Sequence, residues 1–190
     1  MTFDFAAARL NMLDGQVRTA DVTDYAIQDA IGAVAREALA PPDKQALAYA
    51  DCEVQYAPGR FLMKPRDVAK LLQAIRPRAG ERALAIAAPY AAAVLEAMGI
   101  KVDRLDDGDL GAPRGRGYDL IVCEGAVSVA PPAWLKALAP GGRLAVVERN
   151  GPVGKAKLYL NAEHGLGVRE LFDATPPLLP GFEAKPAFTF

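Results

Sequence analysis

Between Arg82 and Glu148 three short stretches, ALAIA, YDLIVC and RLAVVE, are apolar along their whole length rather than at alternate positions. A strand that is apolar on both faces must be covered on both faces, which is the condition of an inner strand in a parallel sheet sandwiched by helices. The connecting segments supply those helices. Pro89 suits a first helical turn, the pattern runs through Leu95, and Gly99 is placed to end it. A second helix containing Trp134, Leu135 and Leu138 runs up to the PGG of 140–142. KAKLYL and GVRELF, then PLLPGF and the terminal AFTF, read as edge or antiparallel strands.

The N-terminal part reads as helical. Residues from about Phe3 to Leu13 form one helix, and Asp24 caps another whose apolar positions Ile27, Ala30, Ile31, Val34, Ala38 and Leu39 keep helical spacing up to Pro41 and Pro42. QALAYADCEVQYAPGRFLMKP is polar and irregular, and Pro65 opens a helix through Val68, Leu71, Leu72 and Ile75. The expected organisation is an N-terminal helical portion, 1–78, packed on an α/β core, 79–190, as one structural domain at a length of 190 residues.

Composition narrows the function classes. Charged residues make up 24% and the net charge is -1, which gives no general attraction to nucleic acid. No apolar run is long enough for membrane insertion, and the first residues mix acids and arginines with apolar positions, unlike a signal peptide. Cys52 and Cys123 stand far apart, form no CxxC unit and favour a reducing, cytoplasmic setting. No metal site is expected, since His164 is the single histidine. The acids Asp103, Asp106, Asp107 and Asp109 lack the order of a calcium loop. Cys123 reads as a buried small hydrophobe, and Ser128 has no histidine near it in sequence to act as a base.

A parallel sheet binds ligands beyond the carboxyl ends of its strands, where glycines let the backbone approach and a strand-end carboxylate accepts hydrogen bonds from ribose hydroxyls. Here the turn after the first core strand reads IAAPY. Ala85 and Ala87 bring no polar group, and Pro89 removes a backbone donor. An ordinary strand-to-helix turn accounts for such a segment.

The ordered motifs MLDGQVR with DVTDYAIQDAI, AYAD, PGRFLMKP, GERALAI, GYDLIVCEGAV, PPAWLKALAPGGRLAVV and LFDATPPLLPGFE together resemble the bacterial branch of the protein-L-isoaspartate O-methyltransferase family. The resemblance covers nearly the whole chain. It implies an α/β fold: a truncated class I methyltransferase-like, Rossmann-like parallel sheet with N-terminal helices and a short antiparallel C-terminal part. It also implies S-adenosylmethionine as cofactor and the isoaspartyl carboxylate of damaged proteins as substrate. By family match, the cofactor-binding candidates are Ala85, Ala87, Ala88, Tyr90, Asp106 and Glu124. The segment over the isoaspartyl site has Phe61 at the family's threonine position and Met63 at its serine position, so no catalytic residue is assigned. The chain also passes from GIKV to DDGDLGAP with no room for the strand, helix and strand that usually intervene, leaving Asp106 to mimic the ribose acid.

These departures lead to three expectations. The leading one is a catalytically inactive family member with a structural or protein-binding role and no cofactor. The alternative is an active methyltransferase that holds S-adenosylmethionine through Asp106, Glu124 and the backbone of Ala87 and Tyr90; a further alternative is a small-molecule binding module. A trimmed sheet exposes apolar surface, so a protein partner or a second copy is expected at 91–117, with Met98, Ile100 and Val102 as anchors and Arg104, Arg114 and Arg116 at the rim.

Overall fold

The computed structural model describes residues 3–184. Its centre is a six-stranded sheet in the order β4-β3-β5-β6-β7-β8. Strands β3 (Arg82–Ile86), β4 (Lys101–Leu105), β5 (Tyr118–Val127) and β6 (Leu138–Glu148) run parallel, while β7 (Gly154–Ala162) and β8 (Gly165–Ala174) return antiparallel. This is the α/β arrangement expected from the sequence, a Rossmann-like parallel sheet with helices at the N-terminus and antiparallel strands at the C-terminus. The alternation of side chains along β3 divides the core. Ala83 and Ala85 join one buried cluster with the N-terminal helices, and Leu84 and Ile86 join another built around Trp134.

Three further helices cover the first cluster. Helix α1 (Phe5–Met12) is capped by Asp4 and continues through a π-helical turn at Leu13–Val17; α2 (Tyr25–Ala33) is capped by Asp24, whose side chain accepts from the N–H groups of Ala26 and Ile27. Helix α3 (Pro65–Ile75) starts on its proline and buries Val68, Leu71, Leu72 and Ile75 against the sheet. Buried side chains from Met12 to Ala174 form one contiguous cluster that joins the N-terminal helices to the sheet. Helix α4 (Pro89–Ala97) follows β3, and the short α5 (Pro132–Ala137) precedes β6.

Several boundaries differ from the sequence reading for local reasons. Helix α2 stops at Ala33 because Val34 is extended (ψ 124°), and Ala38 and Leu39 lie in a separate 3-10 turn. The irregular stretch before Pro65 contains a hairpin of β1 (Val54–Ala57) and β2 (Arg60–Leu62), turned at Gly59 with φ 66°. Leu138 begins β6 instead of ending the preceding helix. Residues 101–105, too polar to stand out as a core strand, pair with β3 along its outer side and form the sheet's edge. One strand therefore does fit after GIKV, and 106–117 add no further strand or helix. The AFTF stretch lies outside the described residues.

Candidate functional site

The carboxyl ends of β3, β4 and β5 lie side by side, and the family-matched residues cluster there. Ala85, Ala87, Ala88, Tyr90 and Glu124 are all buried at 1% exposure or less. Ala87 holds φ at 45°, the left-handed backbone that glycine adopts freely and alanine at a cost of about 1–2 kcal/mol. The turn thus follows a path that glycine takes freely, with an alanine on it. The N–H of Ala87 donates to the carbonyl of Leu105 at the end of β4, which fixes that path.

Glu124 dominates the electrostatics. Its Oε1 accepts from the Ala91 N–H at 2.7 Å and its Oε2 from the Met63 N–H at 3.2 Å. The Tyr90 N–H is also turned toward it. The Tyr90 and Ala91 amides belong to the first turn of α4, the positive end of the helix and a place suited to an anionic group, whereas the Met63 amide comes from the segment before α3. Burial pushes the Glu124 carboxyl above the usual carboxylate range, and Arg36 partly opposes that rise.

Arg36 is itself fully buried. Its Nε donates to the Ala48 carbonyl at 2.7 Å and its Nη2 to the Met63 carbonyl at 2.5 Å, while the guanidinium lies 4.4 Å from the centre of the Tyr90 ring. Arg36 Nη1 and Tyr90 Oη are buried without a protein partner. Met63 is thus a structural hub. Its N–H meets Glu124, its carbonyl meets Arg36, and its Sδ accepts from the Gly125 N–H at 3.1 Å. Phe61 stays half-buried on β2.

Two coverings close the strand ends. From one side the β1–β2 hairpin brings the Tyr56 hydroxyl to 3.4 Å from the Ala87 carbonyl. From the other, the segment after β8 is stitched to β5: the Ala126 N–H donates to Pro177, the Leu179 N–H donates to Ala126, and the Ser128 N–H donates to Phe182. Leu179 packs over Gly125 so closely that an added Cβ would fall 2.8 Å from it, and Pro180 meets Gly59 in the same way at 2.4 Å. None of the four described cavities is lined by Ala85, Ala87, Ala88, Tyr90 or Glu124.

Asp106 follows β4 directly, but it lines a separate cleft of about 360 Å³ with Leu84, Asp103, Leu105, Arg114 and Tyr118. Its Oδ1 is buried without a partner, and burial raises its pKa. Asp106 thus follows the carboxyl end of β4 and lines a described cavity that Glu124 does not. Cys123 is fully buried and burial drives its thiol upward, away from thiolate chemistry. Among the described residues no group of histidine, cysteine and acidic side chains could hold a metal, and no helix is long and apolar enough to cross a membrane. In the 91–117 region Ile100 is buried at 4% exposure, and Met98 and Val102 pack half-buried on the same cluster. Ile100 is thus a core residue, not the surface anchor expected of it. Arg104 is paired with Glu96 at 2.7 Å.

Sequence reasoning missed Arg36, Tyr56, Leu179 and Phe182. Arg36 lay in an alanine-rich run read as helix, and only its single positive charge among apolar neighbours could have marked it.

No family model matches the chain. A protein-L-isoaspartate O-methyltransferase of Methylorubrum populi is 34% identical over 209 residues, spanning 94% of this chain and 98% of the relative. One from Methylorubrum extorquens is 32% identical over 94% of this chain and 91% of the relative. Among solved structures, a Plasmodium falciparum protein named as a protein-L-isoaspartate O-methyltransferase, in complex with S-adenosyl-L-homocysteine, superposes with a TM-score of 0.73 at 14% identity. It covers 94% of this chain and 99% of that one, a likeness of fold.

Proposed function

Because the chain belongs to the protein-L-isoaspartate O-methyltransferase family, we propose that it keeps the methyltransferase scaffold, fills the S-adenosylmethionine pocket with its own side chains, and acts as a protein-binding member without methyl transfer. The observation that carries this reading is Glu124. A carboxylate of the protein occupies the α4 amides, in a site where Ala85 replaces the strand-end acid and the coverings leave no described cavity. The residues present do not fit S-adenosylmethionine in the family's manner. A charge-assisted hydrogen bond is worth about 1.5–3 kcal/mol, and a micromolar ligand binds with about 8 kcal/mol. Two such bonds lost, with the first-turn amides already taken, leave too little affinity for occupancy. Two free cysteines support a cytoplasmic setting.

The test pairs calorimetry with S-adenosylmethionine and methyl transfer to an isoaspartyl peptide. The expected outcome is no saturable heat and no transfer above background. Saturable micromolar binding, with transfer proportional to protein concentration, would sink the proposal.

A second reading, active methyl transfer to isoaspartyl carboxylates, is favoured by the named relatives at 32–34% identity and by the unpartnered Oδ1 of Asp106 beyond β4. There Asp106 would hold ribose hydroxyls once Glu124 released the α4 amides. An Asp106→Asn variant that abolished measured cofactor binding would support it. For the partner, the β4 edge with Met98 and Val102 is the contact proposed within 91–117. A wild type that sediments as a monomer and captures nothing from its native extract would remove that contact.

A further inference from the structure

A cavity of about 780 Å³ lies away from the strand carboxyl ends, between the C-terminal half of α3, the 20–24 turn and the inner face of β8. Lys70, Arg76, Arg78 and Arg169 line it. None of the four is within ion-pair distance of a carboxylate among the described residues. Of the two acids in the wall, Asp24 is engaged as the α2 cap, accepting at 2.9 and 3.2 Å. The wall is also fixed. Gln73 Oε1 accepts from the N–H groups of Thr23 and Asp24, and its Nε2 donates to the Asp21 carbonyl. The floor is apolar, with Leu171 and Phe172, and Lys70 Nζ rests 4.3 Å from the Phe172 ring centre.

Beside this groove runs a sheet edge. Strand β8 is the last in the order, so its outward N–H and C=O groups have no strand partner among the described residues. Its side chains alternate. Arg169, opposite Leu158, faces the groove, while Val168, opposite Tyr159, and Leu166, opposite Asn161, face the other side at 60% and 48% exposure. A chain added along this edge would therefore meet cations on one of its faces and, on the other, the exposed apolar Leu166 and Val168 followed by the exposed Glu170, opposite Lys157.

We infer that the β8 edge and the groove beside it receive an extended protein segment in which acidic and apolar residues alternate, by strand addition. The main-chain ladder holds the segment, Lys70, Arg76, Arg78 and Arg169 take its acids, and Leu166 and Val168 take its apolar residues. This inference does not rest on the state of the cofactor pocket.

The probe is a fluorescent peptide of alternating glutamate and valine, about eight residues long to match β8. Anisotropy should show saturable binding to the wild type and binding at least about tenfold weaker to an Arg78→Glu, Arg169→Glu double variant. Both arginines are exposed and their side chains make no described hydrogen bond, so the variant should fold, as checked by its circular dichroism. A peptide N-methylated at alternate residues should fail to bind, and hydrogen exchange should slow at 166–170 with the parent peptide. Equal affinity of wild type and variant overturns the inference, as does unimpaired binding of the N-methylated peptide. Full displacement by inorganic triphosphate without any exchange protection of β8 would mark a small-anion site instead. A β8-mediated dimer of this chain that excludes the peptide would assign the edge to a second copy and also overturn it.

Discussion

Replacing Glu124 by alanine should cost more stability than any other single truncation at the candidate site. Two buried amides, of Ala91 and Met63, lose their acceptor. Each orphaned donor costs about 1–3 kcal/mol. Arg36, fully buried, also loses one of the negative groups whose field favours its charge, which adds to that cost. Against a total stability of about 5–15 kcal/mol for a domain, this is a large fraction. Glu124→Gln keeps one acceptor oxygen but turns an NH2 toward the second donor, so it should cost about 1–3 kcal/mol at neutral pH.

The pH dependence separates packing from charge. The folded carboxyl is raised above its ordinary value near 4.5, so the native state holds the proton to higher pH than the unfolded chain does. Glu124 therefore contributes its full stability below about 4.5, and that contribution falls as pH rises through the raised folded value. Urea unfolding across this window should show a declining limb in the wild type that Glu124→Gln flattens. A Glu124→Ala variant within about 1 kcal/mol of wild type at neutral pH would refute the reasoning, because the α4 amides would then have another partner.

Gly125, at φ 134° and with Leu179 against it, cannot take a side chain without moving the C-terminal segment. Gly125→Ala should lose roughly 1–3 kcal/mol from backbone strain, and Trp134, the only tryptophan, should shift its emission to longer wavelength as Phe182 leaves it; an unchanged emission and melting temperature would contradict this. Ala87→Gly should be near neutral in thermal unfolding, since relief of about 1–2 kcal/mol at positive φ offsets the lost methyl and the added chain entropy. Ala85→Gly, in an ordinary strand, has no such relief and should lose about 1.5 kcal/mol; equal losses at the two positions would contradict the strain assigned to Ala87.

The sheet was legible wherever burial on both faces wrote itself into composition. ALAIA, YDLIVC and RLAVVE fitted inner strands and are strands in the structure, and Pro65 and Pro89 marked helix starts that the structure keeps. Edge strand β4 was not legible, since KVDRL has one neighbour strand and carries Lys101, Asp103 and Arg104 where an inner strand would be apolar. The β1–β2 hairpin escaped for a similar reason, being short and half-buried. In both, pairing comes from the tertiary frame more than from the local pattern.

The site was legible as a set of departures but not as a mechanism of closure. Ala85, Ala87 and Pro89 announce missing groups, and a missing group says nothing about what takes its place. What takes it here is assembled from four distant parts of the chain: Glu124 from β5, Arg36 from a 3-10 turn, Met63 before α3, and Leu179 beyond β8. Each residue has an unremarkable local setting, and only their convergence turns a strand-end carboxylate into a cap for α4. That convergence also explains Met63. Met63, fully buried, sets its thioether against the Gly125 N–H while its backbone bridges Glu124 and Arg36. A ligand group that sought the α4 amides would have to displace Glu124 from the Ala91 and Met63 N–H groups, so under the proposed reading the hydrogen bonds that hold this part of the core also oppose cofactor entry.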